Sequence, residues 1–238
     1  MASKTVLVTG CNRGIGLQFV QEYIKLGWNV IAAVRDPTTA DELNALAPYK
    51  IVQLDIGDEE SVLNAAKELG DEAIDLLINN AGIIMLENLA NSTKANMLKL
   101  FEVNAVGPFL VTRAFVPHLK AAVAKNGSAN VAQISSLVGS IDLNIGKNYG
   151  YPTSKAALNM ISSSLAIDLK HDSIGVFILH PGYVNTRMTG GRDIVWHGNV
   201  MKAISTQSSA QDLIEVISKR TLEDTGKFYS YTGESIPW

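Results

Sequence analysis

Thr5-Val6-Leu7-Val8-Thr9-Gly10-Cys11-Asn12-Arg13-Gly14-Ile15-Gly16, near the start of the 238-residue chain, decides the architecture. Thr5 to Val8 read as a short apolar strand. Glycines at 10, 14 and 16 follow at once, and a helical pattern runs on from Ile15 to Leu26. A strand that turns sharply into a helix is the opening unit of a parallel α/β sheet. Outward from this unit the alternation repeats. Strands are predicted over Val30 to Val34, Ile51 to Leu54, Asp75 to Ile78, Asn130 to Ile134, Val176 to Leu179 and Lys227 to Tyr231. Helices are predicted over Thr39 to Leu46, Glu59 to Leu69 with Asp58 as N-cap, Tyr151 to Lys170 and Gln211 to Arg220. A long helical stretch from Met97 to Lys125 contains Pro108 and Pro117, which predict a bend or break. The strands are apolar nearly throughout, as expected when helices cover both faces. The pattern fails from Gly182 to Ser208, which reads as a loop or small helical lid. The expectation is an α/β doubly wound parallel sheet of about seven strands.

Composition narrows the function. Net charge −3, with 47% hydrophobic and 18% charged residues, suits one globular domain spanning residues 1–238. The charge balance offers no basic stripe for nucleic acid. No apolar run approaches the ~20 residues of a membrane span, and Met1-Ala2-Ser3-Lys4 leads straight into the first strand, so a cytoplasmic location is expected. Cys11 is the single cysteine, which excludes an internal disulfide and a cysteine-based metal site. The four histidines, His118, His171, His180 and His197, lack metal-ligand spacing, so no metal is expected. A small molecule is the expected partner.

The glycine turn suits a dinucleotide. Gly10 permits the tight turn, Gly14 a close approach by the pyrophosphate and Gly16 close helix packing, while the helix N-terminus presents free N–H groups and a positive dipole end. The intervening Asn12, Arg13 and Ile15 belong to the same loop. At the end of the second strand, where a carboxylate would accept the two ribose hydroxyls, the chain has Arg35 followed by Asp36. Arg13 and Arg35 suit a 2′-phosphate, because guanidinium groups bind phosphate bidentately. This points to NADP(H) over NAD(H). In the alternative, one arginine covers the adenine and Asp36 takes the hydroxyls. Asp55 and Ile56, after the third strand, are placed to meet the adenine. Asn79-Asn80-Ala81-Gly82 ends the fourth strand where the cofactor would pass.

Tyr151 and Lys155 in Tyr151-Pro152-Thr153-Ser154-Lys155 supply the candidate chemistry. Side chains at i and i+4 share a helix face about 6 Å apart. Bringing a tyrosine from about 10 toward 7 takes about 4 kcal/mol. One ammonium held about 4 Å away at an effective dielectric near 20 supplies about that much. An ordinary amphipathic helix explains the spacing equally well, so the pair needs its context. Tyr149 is the rival phenol, but only Tyr151 has a lysine at i+4. Of the adjacent Ser135 and Ser136, consecutive strand residues face opposite ways, so one alone can reach a substrate.

Gly10-x-x-x-Gly14-x-Gly16, Asn79-Asn80-Ala81-Gly82, Asn104, Ser135-Ser136, Tyr151-x-x-x-Lys155 and Pro181-Gly182 resemble, in order and spacing, the motifs of the short-chain dehydrogenase/reductases. The resemblance spans essentially the whole chain. Tyr149-x-Tyr151, His180-Pro181-Gly182 and the ending Ile236-Pro237-Trp238 are similar to the branch of C-factor and sniffer-type carbonyl reductases. The resemblance implies a single-domain Rossmann fold and a role for each matched residue. Tyr151 would be the proton donor in carbonyl reduction. Lys155 would hold the nicotinamide ribose and depress the tyrosine pKa, Ser136 would bond the substrate oxygen, and Asn104 would anchor a proton relay. Asn80, Ala81 and Gly82 would line the cofactor. Pro181, Gly182, Val184 and Thr186 would pass along the nicotinamide, with Thr186 bonding its carboxamide.

The implied function is NADPH-dependent reduction of an aldehyde, ketone or dicarbonyl. The alternatives are a dehydrogenase working in the oxidising direction on a steroid or other alcohol, and a non-catalytic nucleotide-sensing protein on the same fold. Tyr149 and Trp196 join Ser136 as candidate pocket residues, with Leu143, Ile145, Ile194 and Val195 suggesting an apolar wall. His180 and His197 are open between substrate contact and core or surface roles. Members of the family often pair through two long helices, so a homodimer or homotetramer is the assembly implied, and no residue selects it over a monomer.

Overall fold

The computed structural model describes residues 3–191, 193–196 and 198–238. In chain order it forms β1 (Thr5–Thr9), α1 (Gly14–Lys25), β2 (Asn29–Val34), α2 (Asp41–Ala45), β3 (Lys50–Gln53), α3 (Glu59–Leu69) and β4 (Leu76–Asn79). Then come α4 (Lys94–Phe101), α5 (Gly107–Asn126), β5 (Ala129–Ile134), α6 (Gly150–Leu169), β6 (Ile174–His180), β7 (Ile194–Trp196), β8 (Asn199–Met201), α7 (Thr206–Ser218) and β9 (Phe228–Ser230). Seven strands make one sheet in the order β3-β2-β1-β4-β5-β6-β9, every neighbouring pair parallel. The expected doubly wound α/β sheet is therefore present.

Both faces of the sheet are covered, which is why its strands are apolar without alternation. On β1, Leu7 packs with Val111, Phe115 and Leu119 of α5 and with Leu165 of α6. Its neighbours Val6 and Val8 face the other way, toward Phe19 and Val20 of α1 and Leu213 of α7. Asp75 pins the bottom of the sheet: one carboxylate oxygen accepts the Thr5 N–H at 2.8 Å and the other the Asn126 amide at 2.6 Å.

Four predicted elements differ. The stretch from Met97 to Lys125 is α4, a π-helical segment over Glu102–Val106, and α5. Neither proline breaks it. Pro108 stands at the second position of α5, directly after the π segment, and α5 continues through Pro117. The irregularity comes instead from one extra residue per turn at Glu102–Val106, ending where Gly107 lies against the Ile56 backbone: an added Cβ would fall 2.7 Å from the Ile56 oxygen. The stretch read as a lid contains the antiparallel hairpin β7–β8. Helix α7 begins at Thr206 rather than Gln211, because the Ser205 hydroxyl accepts the Ser208 N–H at 2.9 Å and caps it. The helix expected over Thr39 to Leu46 is a 3₁₀ turn, Pro37–Thr39, followed by the short α2.

Candidate active site

The strand order reverses direction between β1 and β4, and open α/β sheets bind ligands at that point, beyond the carboxyl ends of the strands. The glycine turn lies there. Gly10 (φ 67°) and Gly14 (φ 61°) both take left-handed backbone. An added Cβ on Gly10 would fall 2.8 Å from Ala81 Cα, and one on Gly16 only 2.3 Å from the Gly10 oxygen. These two positions are closed by the protein itself. At Gly14 a Cβ would meet nothing nearer than Thr186 Cγ2 at 3.8 Å. The N-cap of α1, Arg13, makes no side-chain capping bond, and its first turn holds no acidic residue. An open concavity over uncapped N–H groups fits a dinucleotide pyrophosphate.

Asn80 shapes this cradle. Its amide donates to the Thr9 and Gly10 oxygens at 3.0 and 3.1 Å, while Thr9 Oγ1 accepts the N–H groups of Asn80 and Ala81, each at 3.1 Å. Asp55 uses one carboxylate oxygen on the Gly57 N–H at 2.9 Å, and Ile56 is buried in the core. Asp36 accepts from the Thr38 N–H and hydroxyl at 2.9 and 2.6 Å, and these bonds hold its carboxyl below the usual range. Arg13, Arg35 and Asn12 are exposed, and neither arginine forms an ion pair with any described residue.

Helix α6 brings the reactive groups to the same edge. Asn104, fully buried in the π segment, accepts the Ile83 N–H at 2.8 Å and donates to the Ile83 oxygen at 2.9 Å and to Ser154 Oγ at 3.0 Å. A Cβ on Gly82 would fall 3.1 Å from Asn104 Oδ1 and 3.7 Å from Lys155 Nζ. The Ser136 hydroxyl faces the Tyr151 phenol closely enough to oppose the rise of its pKa. Ser135 turns away and donates to Asn159 Oδ1 at 2.6 Å. Thr186, Gly14, Gly10, Ala81, Gly82, Asn104, Lys155, Tyr151 and Ser136 thus form one continuous file along the sheet edge.

The electrostatics differ from the sequence expectation. Lys155 Nζ lies 5.9 Å from the Tyr151 ring centroid and donates to the Ile134 oxygen at 2.9 Å. Burial pushes the tyrosine up to about 12, with the Ser136 bond opposing it, and pushes the lysine down to about 8. Desolvation by burial is the largest influence on both groups, opposite in direction to the depression expected of the phenol.

The remaining expected residues have partners of their own. Gly182 (φ 85°) packs on Tyr231, the Pro181 oxygen accepts the Ser209 hydroxyl at 2.7 Å, and Val184 is buried in a bridge to Ile204. The Thr186 N–H reaches Thr189 Oγ1 at 3.1 Å. Tyr149 is 39% exposed beside the start of α6, and Trp196 lies in the hairpin. His180 is buried, accepting the Leu137 N–H at 3.2 Å on Nδ1, so its role is in the core; His197 lies outside the described residues. Cys11 is buried with its thiol pushed up to about 12. Thr9, Ser154 and Asn159 were missed as supporting residues. Asn159 had a signal, since it stands four residues after Lys155 on the same helix face. Among the described residues no group of three or more His, Cys, Asp or Glu is placed to hold a metal, and no helix is long and apolar enough to cross a membrane.

A glycine turn at the switch point of a parallel sheet, with a tyrosine and lysine at its edge, defines a dinucleotide-binding α/β protein. Residues 4–193 match the short chain dehydrogenase family, and the chain belongs to that family of oxidoreductases. The C-signal protein of Myxococcus xanthus is 36% identical over 167 residues, covering 69% of this chain and 93% of that protein. An uncharacterised oxidoreductase of Schizosaccharomyces pombe is 31% identical over 254 residues, covering 99% and 98%. Among solved structures, the NADPH-bound carbonyl reductase from chicken fatty liver superposes with a TM-score of 0.88 at 34% identity, covering 100% of both chains. The carbonyl reductase Sniffer of Drosophila melanogaster does so with 0.89 at 28%, again covering 100% of both. The chain thus resembles the C-factor and sniffer-type reductases.

Proposed function

We propose that this chain is an NADPH-dependent carbonyl reductase acting on aldehydes, ketones or dicarbonyls. The observation that carries the reading is the gathering of Asn104, Lys155 and Tyr151 at one edge of the sheet beside Gly82 and the open glycine turn, with the Ser136 hydroxyl facing the phenol. A protonated phenol in this position can donate to the oxygen of a carbonyl as hydride arrives at its carbon. Similarity to an NADPH-bound carbonyl reductase supports the same direction.

When bound, the nicotinamide supplies the hydride. Tyr151 delivers the proton to the substrate oxygen, and Ser136 donates a hydrogen bond to the charge developing there. Lys155 is held by the Ile134 carbonyl beside Gly82, at the end of β4, where it would hold the nicotinamide ribose. Asn104 fixes the Gly82–Ile83 turn from below and grips Ser154 of the same helix as the tyrosine. For the adenosine end, Asp36 is engaged with Thr38 whereas Arg13 and Arg35 have no ion partner among the described residues, which favours a 2′-phosphate over bare hydroxyls.

The test is oxidation of NADPH, with NADH in parallel, against a panel of aldehydes, ketones, quinones and dicarbonyls, for the wild type and Tyr151→Phe. The phenylalanine variant is expected to lose about 10²- to 10⁴-fold in kcat while still binding NADPH. Near-normal turnover by that variant would sink the assignment, and a tenfold preference for NADH would overturn the cofactor.

A further inference from the structure

The place where β5 leaves the sheet depends on a side chain rather than on backbone pairing. Strands β5 and β6 run in parallel register up to Ile134 opposite Leu179, and the Ser135 N–H then bonds the Leu179 oxygen at 2.7 Å. In a parallel ladder the next bond of this kind would run two residues on, from the Leu137 N–H to the Pro181 oxygen. That bond is replaced. The Pro181 oxygen accepts the Ser209 hydroxyl at 2.7 Å instead, and the Leu137 N–H goes to Nδ1 of the His180 ring at 3.2 Å. The substitution lets the chain splay from the sheet at Ser136, the residue whose hydroxyl meets Tyr151.

The ring can accept only while Nδ1 carries no proton, which assigns the tautomer protonated on Nε2. Burial serves this, pushing the histidine down to about 4. The edge of Tyr231 holds the ring from the side, with centroids 6.5 Å apart and planes at 77°, and Tyr231 also abuts Gly182. One imidazole therefore braces the loop that carries Ser136 while its own backbone begins the Pro181–Gly182 turn.

We propose that His180 is a positioning residue: its Nδ1 replaces the missing rung between β5 and β6 and fixes where Ser136 stands relative to Tyr151. This rests on the reductase reading for its consequence in turnover, though not for the hydrogen bond itself. A displacement of about 1 Å at such a site can cost ~10²-fold in rate.

The experiment compares His180→Leu, which keeps bulk but has no acceptor, with His180→Asn, whose amide oxygen can stand near the place of Nδ1. On the best carbonyl of the wild type, the leucine variant is expected to lose about 100-fold in kcat, with NADPH affinity within about threefold. The asparagine variant should recover at least tenfold of that loss. Leucine variant kcat within threefold of wild type overturns the proposal, and so does an equal loss in both variants. Nitrogen-15 shifts of the wild-type ring give a reading that needs neither variant to fold: an unprotonated, hydrogen-bonded Nδ1 at pH 7 is expected, and a protonated Nδ1 overturns the proposal. If the wild type reduces no carbonyl, the reductase reading fails while the ring shifts still decide the hydrogen bond.

Discussion

The glycine turn and the loops after β4, β5 and β6 lie along the same edge of the sheet, yet they are held in opposite ways. The turn is fixed by backbone contacts and by two short polar side chains that bond backbone. Gly10 donates to the Ala33 oxygen at 2.9 Å, Thr9 and Asn80 tie it to β4, and Gly16 sits against the Gly10 carbonyl. The loops instead present large apolar side chains to water: Leu86 is 78% exposed, Ile141 76% and Val195 67%. A dinucleotide is the same molecule in every relative that uses it, so the surface that meets it can be rigid. Under the proposed reading, the surface that would meet the substrate is built from side chains whose identities the frame does not constrain.

Gly16→Ala attacks the rigid side and carries the largest expected effect. Its Cβ would collide with a backbone oxygen, which cannot swing aside as a flexible side chain would. Overpacking of this kind costs about 3 kcal/mol, equivalent to about 100-fold in NADPH affinity if the turn moves to relieve it. Thermal melting and cofactor titration should both register the change. An unaltered affinity would show that the turn is softer than its contacts imply.

Lys155→Met measures what the rigid frame sustains. The lysine is lowered from 10.5 to about 8 by burial, so between those values the unfolded chain binds more protons than the folded one. Stability should therefore rise with pH across that window, by up to about 3 kcal/mol, and the burial cost is present in full below pH 8. Denaturant titrations from pH 7 to 10.5 should show this rise in the wild type and a flattened one in the methionine variant, which also loses turnover. A variant no flatter than the wild type would mean that the Ile134 bond already offsets the burial.

Leu86→Ser with Val195→Ser probes the soft side. Stability should change by less than about 0.5 kcal/mol per site, because neither side chain is buried. KM for bulky carbonyls should rise about tenfold while NADPH affinity stays level, at roughly 1.4 kcal/mol of lost apolar contact. Equal effects on small and bulky carbonyls would remove these loops from the substrate surface.

Sequence legibility followed the same division. The β-branched runs, the Asp58 cap and the glycine spacing reported the frame, since each is a local rule of backbone geometry. The Tyr151–Lys155 spacing was readable because a helix fixes it. The anchor of Lys155 was not, because Ile134 is 21 positions away and contributes only its carbonyl. The π segment around Asn104 has no compositional mark: it ends at Gly107, which lies against the Ile56 backbone, and helix α5 runs on through both prolines that suggested a break. The β7–β8 hairpin escaped notice because two three-residue strands are too short to show a period.

Cys11 has a practical consequence. It is the sole thiol in the chain, fully buried within the glycine turn, and its pKa near 12 leaves almost no thiolate at neutral pH. Any alkylating reagent must wait for this corner of the protein to open. The labelling rate of the unmodified protein is thus a built-in clock for that opening, and a ligand seated on the turn should slow it in proportion to its occupancy.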